Sequence, residues 1–309
     1  MAWKVLVSAP YFQPVVDQYR PIFEQNDINE VLVPPVRERL SEEELLDLIE
    51  DVDGVISGDD RFTARVLERA RKLKVISKWG TGIDSIDQEA AARLGIAVRN
   101  TPGAFTDPVA DSVMGYVLCF ARQLPWMDRD IRQGRWGVSL RERTLGVIGV
   151  GNVGRAVVRR AVGFGVRVLG NDVVDVPGEF IAETGLEMVP KEDLFRRSDF
   201  VSLNCTLNKT SYHLIDEAAL ELMKPTAFLI NTARGPLIDE KALVRALRAG
   251  RIAGAALDVF EQEPLPEDSP LRGLDNCLLA PHNSNSSPAA WERVHENTLK
   301  NLLDELRER

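Results

Sequence analysis

The sequence predicts an α/β protein with two doubly wound parallel β-sheets, each covered by helices on both faces. Short apolar runs rich in β-branched residues alternate along the chain with longer segments of helical period, which is typical of parallel sheets covered by helices. The runs form two sets, one before residue 100 and one after residue 143. The 309 residues are enough for each set to form a domain with its own core.

Each set supplies several strand candidates, which are short, apolar and bounded by turn residues. In the first set they are Lys4–Ser8, Glu30–Val33, Gly54–Ser57, Lys74–Ser77 and Ala97–Arg99. In the second set they are Thr144–Ile148, Arg167–Gly170, Phe200–Asn204, Ala227–Asn231, Gly254–Asp258 and Cys277–Ala280. The two sets predict two sheets and therefore two domains.

Two helices are indicated within and between these sets. Ser41 lies three residues before Glu44, a capping-box pattern that predicts a helix over Ser41–Glu50. Asp107–Arg122 carries a long apolar face between the two sets of strands and ends before Pro125. We therefore expect the two domains to be linked by a hinge helix rather than by a flexible linker.

A last helix follows the final strand candidate. Ser287 and Pro288 have the residue types of an N-cap and a first helical position. No strand follows this helix in the sequence, so it must pack onto an element formed earlier in the chain. Its apolar stripe is Trp291, Val294, Thr298, Leu302 and Leu306.

Composition excludes several classes of partner. A formal net charge of −9 at pH 7 argues against nucleic acid and anionic membranes, because either would need a basic face. The three cysteines are too few and too scattered for a disulfide framework or a zinc cluster, so we expect no metal. We interpret the apolar run at the start of the sequence as a short strand rather than a signal peptide, and no apolar run approaches the roughly 20 residues that cross a bilayer. We expect a soluble cytoplasmic protein.

The strongest local motif is G-x-G-x-x-G between a strand candidate and a helix that begins near Asn152. The first glycine, Gly149, allows a tight turn, and Gly151 lets the backbone approach a pyrophosphate. Gly154 lets the helix and the strand pack closely. The helix N-terminus, with Asn152 and Val153, offers N–H groups and a positive dipole end to phosphates. The motif predicts a dinucleotide site.

Asp172 ends the next strand candidate. It follows the first glycine by roughly the 20 residues expected for a carboxylate that binds ribose hydroxyls. The alternative role for such an acid is capping at a strand–loop junction. A carboxylate here would repel a 2′-phosphate, and Val173 and Val174 follow where NADP enzymes usually place arginine. We therefore expect NAD as the cofactor.

Several motifs, in order, resemble the D-isomer-specific 2-hydroxyacid dehydrogenases, the family of D-lactate, glycerate, hydroxypyruvate and phosphoglycerate dehydrogenases. They are GTGID at 80–84, NTP at 100–102, the glycine motif, NTARG at 231–235, DVFEQEP at 258–264 and PH at 281–282. The resemblance implies a flavodoxin-like substrate domain of residues 1–100 and 285–309. It implies a Rossmann cofactor domain of residues 101–284 inserted between these two segments. It also implies a homodimer, and we expect Asp107–Arg122 to contribute to the contact between the two copies.

The family's chemistry is hydride transfer between NAD(H) and C2 of a small D-2-hydroxy or 2-keto acid. The resemblance assigns three catalytic residues. Arg234 would bind the C1 carboxylate and polarise the C2 oxygen. His282 would exchange a proton with that oxygen, and an acid would hold its tautomer. Glu261 and Glu263 are both candidates for the acid. The family's spacing selects Glu263, and we expect Glu261 to be a solvated neighbour.

The remaining site residues follow from the same resemblance. Trp79 and Gly80 would offer backbone N–H groups to the substrate carboxylate. The nicotinamide half of the cofactor would be lined by Thr81, Cys205, Thr206, Thr232, Ala233 and Asp258. The other two histidines lie elsewhere: His213 is expected in a loop or helix start, and His295 on the polar flank of the last helix.

Departures from the family pattern bear on the substrate. Thr206 replaces a usual proline, and Asn283 and Ser284 follow the histidine where the family usually has a glycine or alanine. The third strand candidate runs into Asp59 and Asp60, where phosphoglycerate enzymes commonly have an arginine. We therefore expect an unphosphorylated acid.

Three alternative functions remain. The first is D-3-phosphoglycerate dehydrogenase. The second is a non-catalytic, NAD-sensing scaffold like the family's corepressors, which use disordered tails. The third is a formate or phosphite enzyme, although the formate enzymes carry glutamine where Glu263 stands. Assaying NADH oxidation with a panel of 2-keto acids separates these functions.

Overall fold

A computed structural model describes residues 2–127 and 137–308; Met1, residues 128–136 and Arg309 lie outside the described residues. The chain divides into two compact units. The first unit is Met1–Phe105 with Ser287–Arg309, and the second is Thr106–Ser286. The expected junctions, after residue 100 and before residue 285, lie within a few residues of these bounds.

The strands and helices of the described residues are numbered in chain order. The strands are β1 (Trp3–Val7), β2 (Ile28–Leu32), β3 (Gly54–Ser57), β4 (Val75–Lys78), β5 (Ala97–Arg99), β6 (Thr144–Ile148), β7 (Arg167–Asn171), β8 (Glu187–Met188), β9 (Phe200–Leu203), β10 (Phe228–Asn231), β11 (Gly254–Leu257) and β12 (Cys277–Leu279). The helices are α1 (Val16–Gln25), α2 (Glu42–Leu48), α3 (Ala64–Arg69), α4 (Gln88–Arg93), α5 (Thr106–Arg122), α6 (Asn152–Gly163), α7 (Gly178–Thr184), α8 (Lys191–Arg197), α9 (Glu217–Leu222), α10 (Glu240–Arg248) and α11 (Pro288–Arg307).

The first unit contains a five-stranded sheet in the order β2-β1-β3-β4-β5. All its strand pairs are parallel, and this is the flavodoxin-like order. Strands β3 and β4 are buried along their whole length. The capping box of α2 is present: the Ser41 hydroxyl accepts from the Glu44 N–H, and the Glu44 carboxylate accepts from the Ser41 N–H.

The last helix, α11, packs on β3, β4 and β5 of the first unit. A side chain at Gly54 would approach the Leu302 side chain to 2.7 Å, so glycine allows the close contact between strand and helix. The Ser77 hydroxyl donates to the Thr298 carbonyl at 2.7 Å. The Ser287 side chain caps the helix, as the sequence indicated. The expectation for His295 was wrong, because this histidine is buried, with 7% of its surface exposed.

The second unit contains a seven-stranded parallel sheet in the order β12-β11-β10-β9-β6-β7-β8. This is the Rossmann order 3-2-1-4-5-6 with one more strand at the far edge. Both the fold class and the Rossmann domain are therefore confirmed. The two-residue strand β8 has no counterpart among the sequence candidates.

Helix α5 opens the second unit and packs on α6. Its Asp107 and Asp111 both pair with Arg160 of α6, at 2.9 and 2.6 Å. Its apolar residues, among them Val113, Val117 and Phe120, are buried within the unit. Within residues 2–127 and 137–308, no helix is long and apolar enough to span a bilayer.

Candidate active site

The glycine motif forms a cradle at the end of β6. Gly149 has a φ of +86°, and a side chain there would meet the Cys205 backbone at 2.6 Å. A side chain at Gly154 would meet the Gly149 carbonyl oxygen at 2.0 Å. Helix α6 can therefore pack this closely against the turn only because both positions are glycine. At Gly151, in contrast, no atom lies within 4 Å of the Cβ position. Gly151 is also the N-cap of α6 and provides no side-chain cap. The free N–H groups of Asn152 and Val153 in the first turn fit a pyrophosphate.

Asp172 follows β7 and is fixed by two backbone N–H groups. One carboxylate oxygen accepts from Val150 at 2.6 Å, and the other from Val174 at 3.0 Å. Each oxygen keeps a second lone pair, so the carboxylate can still accept from two ribose hydroxyls. Val173 and Val174 are exposed beside it. The arrangement fits the adenosine ribose of NAD.

Thr232 lies after β10 and is 8% exposed. Its hydroxyl is buried and has no hydrogen-bond partner within the described ranges. A buried hydroxyl without a partner is costly, so this atom fits a polar group of a bound cofactor. Ala233, the next residue, donates its N–H to the Asn231 side chain at 3.1 Å. Burial raises the pKa of the Cys205 thiol to about 11, so this cysteine is not a thiolate near neutral pH.

Two other residues expected beside the cofactor have structural contacts. Thr206 is exposed, and its carbonyl accepts from the Ser211 hydroxyl at 2.7 Å. Asp258 is 1% exposed, and its two carboxylate oxygens accept from the N–H groups of Asn283 and Ser284, both at 2.9 Å. Asp258 therefore fixes the loop that follows His282.

His282 and Glu263 are brought together by the structure. The Nδ1 atom of His282 lies 3.0 Å from Oε2 of Glu263. The second oxygen, Oε1, accepts from the Phe260 N–H at 2.9 Å. Glu263 is mostly buried, whereas a third of the His282 side chain is exposed. A carboxylate in contact with Nδ1 favours the imidazole tautomer that carries its proton on Nδ1.

Arg234 lies between β10 and a short 3-10 helix, Gly235–Leu237. Its Nη1 donates to the Ala233 carbonyl at 2.8 Å, and its own carbonyl accepts from Asn231 at 2.8 Å. The arginine is thus at the carboxyl end of a parallel strand, where such sheets bind their ligands.

Glu261 is exposed to solvent, as expected, but it is also paired with a histidine. Its Oε1 lies 2.8 Å from Nε2 of His213. Its N–H donates to the Glu240 carboxylate at 2.6 Å. The two glutamates therefore pair with two different histidines. No local feature of the sequence indicates this, because residues i and i+2 of an extended segment line the same face.

In the first unit, Trp79 and Gly80 follow β4. The N–H of Trp79 donates to the Ser57 carbonyl at 2.8 Å. The expectation that this N–H binds a substrate carboxylate is therefore corrected, since the group is already used within the unit. Gly80 has a φ of +127°. Its N–H has no acceptor within residues 2–127 and 137–308. Thr81 donates its hydroxyl to the Thr101 carbonyl at 3.2 Å.

Trp79 is held by a buried histidine that the sequence did not indicate. Its indole Nε1 donates to Nδ1 of His295 at 2.9 Å. Burial lowers the pKa of His295, which keeps the ring neutral and able to accept this bond. Tyr11 stacks on the Trp79 indole, with ring centroids 5.0 Å apart.

Comparison with known proteins identifies the family to which this chain is similar. Residues 114–284 match the model of the D-isomer specific 2-hydroxyacid dehydrogenase family, NAD binding domain. A glyoxylate reductase of Korarchaeum cryptofilum is 42% identical over 274 residues, which cover 85% of this chain and 82% of that protein. A D-3-phosphoglycerate dehydrogenase of Methanocaldococcus jannaschii is 41% identical over 317 residues, covering 99% of this chain and 58% of that protein.

Solved structures give the same result. A D-lactate dehydrogenase of Aquifex aeolicus, complexed with NAD and lactic acid, has a TM-score of 0.84 and 25% identity. The match covers 99% of this chain and 98% of that one. The chain belongs to the D-isomer specific 2-hydroxyacid dehydrogenase family and is an NAD-dependent oxidoreductase that transfers a hydride between NAD(H) and a 2-hydroxy or 2-keto acid.

Proposed function

We propose that this chain uses NADH to reduce an unphosphorylated 2-keto acid such as glyoxylate, hydroxypyruvate or pyruvate, with His282, Glu263 and Arg234 as the catalytic residues. The observation that carries the proposal is the 3.0 Å contact between His282 and Glu263. The name of the Korarchaeum cryptofilum relative, glyoxylate reductase, supports the substrate class. We also propose a cytoplasmic location, since the reaction draws on the NAD(H) pool and the three cysteines are free thiols.

Each residue has a separate role in the proposed reaction. NADH, when bound, supplies the hydride. The guanidinium of Arg234 binds the C1 carboxylate through paired N–H donors and polarises the C2 oxygen. His282 gives a proton from Nε2 to that oxygen while Nδ1 donates to Glu263, whose charge favours the protonated imidazole. For the first unit, the family resemblance supports Gly80 as a further substrate-binding residue.

The acids after β3 support an unphosphorylated substrate. Asp60 does not face a ligand, because it is fully buried and accepts from Ser8, Leu40 and Gly58. Asp59, however, lies 3.1 Å from the ammonium group of Lys78. A phosphate at Lys78 would have to displace this carboxylate. If it did not, two like charges about 4 Å apart would cost on the order of 4 kcal/mol at an effective dielectric of 20.

The substrate prediction is tested with a panel of keto acids. We expect kcat/KM with NADH to be higher for glyoxylate, hydroxypyruvate or pyruvate than for phosphohydroxypyruvate. Steady-state oxidation of NADH measures all four. A value tenfold higher for the phosphorylated acid would favour D-3-phosphoglycerate dehydrogenase, the second candidate, which the likeness to the Methanocaldococcus jannaschii enzyme supports. Inactivity with every acid of the panel would favour an NAD-sensing scaffold.

The proposed preference for NADH over NADPH depends on Asp172. Because its carboxylate would repel a 2′-phosphate, kcat/KM should be higher with NADH, and Asp172→Ala should narrow the difference. Asp175→Ala is the matched control, since Asp175 is an exposed acid in the same loop. Equal use of both cofactors by the unaltered enzyme would refute this role of Asp172.

We further propose that the protein is a homodimer, as the family resemblance implies. The apolar face of α5 is buried within its own unit, so it cannot provide the contact by itself. Leu124 and Met127, which follow the helix, are exposed and supply apolar surface for a partner. Light scattering at micromolar concentration should give twice the chain mass of 34.4 kDa. A monomeric mass would contradict the proposal.

A further inference from the structure

The segment Phe260–Glu263, here called the glutamate loop, carries two histidine–glutamate pairs. Glu263 contacts His282 at 3.0 Å, and Glu261 contacts His213 at 2.8 Å. The proposed reaction uses only the first pair. The second pair is partly exposed and lies within the same unit.

We propose that His213 and Glu240 are positioning residues: they hold Glu261 in place, and through the glutamate loop they orient Glu263 toward His282. This inference rests on the roles proposed above for His282 and Glu263. Neither His213 nor Glu240 needs to touch the substrate.

Glu261 is held at both its backbone and its side chain. Its N–H donates to Oε1 of Glu240 at 2.6 Å, and its Oε1 accepts from the Glu240 N–H at 3.4 Å. His213 binds the same Oε1 atom. Glu240 is the first residue of α10, so the loop is tied to the start of a helix.

One residue, Phe260, connects Glu261 to Glu263: it precedes Glu261 in the chain and its backbone contacts the Glu263 carboxylate. The Phe260 N–H donates to Oε1 of Glu263 at 2.9 Å, which leaves Oε2 for His282. A movement of Glu261 moves the neighbouring Phe260 and rotates the Glu263 carboxylate. The contacts thus form a continuous path from His213 to His282.

His213 is itself fixed to the segment that follows Arg234. Its N–H donates to the Pro236 carbonyl at 2.9 Å. Its φ is +50°, a left-handed conformation that is uncommon for a residue other than glycine. Such a conformation persists only where the surrounding contacts impose it. Tyr212 stacks on the ring, with centroids 4.0 Å apart.

The charges around the loop explain why a histidine is needed. Burial raises the pKa of Glu240, the hydrogen bond from the Glu261 N–H lowers it, and the charges of Glu261 and Glu263 raise it. The titratable groups that these contacts involve are Glu240, Glu261, Glu263, His213 and His282. The Tyr212 phenol stacks on His213, and the Cys277 thiol faces Glu240. A donor from His213 offsets the repulsion that would otherwise push Glu261 away from Glu240.

The test compares His213→Ala and His213→Gln with Glu263→Gln. In His213→Ala, we expect kcat for keto-acid reduction to fall at least about tenfold, the scale of a misplaced catalytic group. KM for NADH should stay within about twofold, because no cofactor contact changes. The alkaline limb of the kcat profile should move to lower pH, since a displaced Glu263 no longer favours the protonated imidazole. His213→Gln keeps a donor for Glu261 and should restore most of the activity.

A double variant separates positioning from a general structural effect. If His213 acts through Glu263, His213→Ala combined with Glu263→Gln should have the kcat of Glu263→Gln alone. Glu240→Gln should show the same non-additivity. Glu217→Gln is the matched control: it breaks an exposed ion pair with Arg245 in the same unit and should keep the wild-type kcat.

Two outcomes would overturn the inference. One is wild-type kcat and an unmoved alkaline limb in His213→Ala. The other is additive loss in the double variant, with no rescue by His213→Gln. His282→Ala, assayed in parallel, tests the proposed function itself. If that variant kept its activity, the catalytic assignment would fail whatever the His213 variants show.

Discussion

Replacing His282 with alanine is expected to lower kcat for reduction of a 2-keto acid by roughly 10²-fold or more, the usual scale for a lost acid–base group. The variant lacks the group that gives the proton to the C2 oxygen. NADH binding, measured by fluorescence titration, should be unchanged, because the glycine cradle and Asp172 are untouched. Near-full kcat across the pH range would refute the proposed mechanism.

Glu263→Gln is the companion variant, and its effect has a definite direction. Loss of the carboxylate removes a negative charge 3.0 Å from the imidazole and favours its neutral form. Reduction requires the protonated form, so activity should be lost at lower pH than in the wild type. The pH–kcat profile measures this shift. An unmoved alkaline limb would show that Glu263 does not act on His282.

The second large effect is expected for Gly235→Ala. A Cβ atom at this position would lie 1.9 Å from the carbonyl carbon and oxygen of Phe260. Backbone atoms cannot move aside as a side chain can, so the glutamate loop must shift as a whole. We expect a loss of about 1–3 kcal/mol in the free energy of unfolding, as for other overpacked sites. We also expect kcat to fall by at least about tenfold, because the loop carries Glu263.

Gly273→Ala is the matched control for this variant. Gly273 lies in the same unit, and no atom is found within 4 Å of its Cβ position. It should therefore keep the wild-type kcat and stability. Urea unfolding and steady-state kinetics provide both measurements. If Gly235→Ala behaved like Gly273→Ala, the packing of the Arg234 segment against the glutamate loop would have no role in catalysis.

Strand positions and the cofactor motif could be predicted because their signals are local. Runs such as Gly54–Ser57 and Thr144–Ile148 match the observed strands at both ends. The three glycines are interpretable from spacing alone. Gly149 and Gly154 each remove a clash with a neighbour close in the chain or next in the sheet, and Gly151 leaves the N-terminus of α6 open. Strand β8 could not be predicted, because Glu187 and Met188 form no apolar run and lie at the sheet edge.

The errors concern polar residues whose partners lie far away in the sequence. His295 was expected on a polar flank, but its partner Trp79 is 216 positions away. The partner of Glu261 is 48 positions away. The buried carboxylate of Asp60 accepts hydrogen bonds from residues as distant in the chain as Ser8. Helical period and residue type carry no information about such partners. These contacts become visible only when the sheets are assembled.

The position of α11 determines the order in which the units can fold during synthesis. The second unit lies entirely within Thr106–Ser286 and can complete its core while the last residues are still being added. The first unit cannot complete its core at that stage, because the Ser77 hydroxyl bonds to the carbonyl of Thr298, which lies 221 positions later in the chain. Until then the face of β3 and β4 that α11 will cover exposes apolar surface. We therefore expect a nascent chain of this protein to pass through a state in which the first unit lacks α11 and its uncovered apolar surface is open to holdase chaperones.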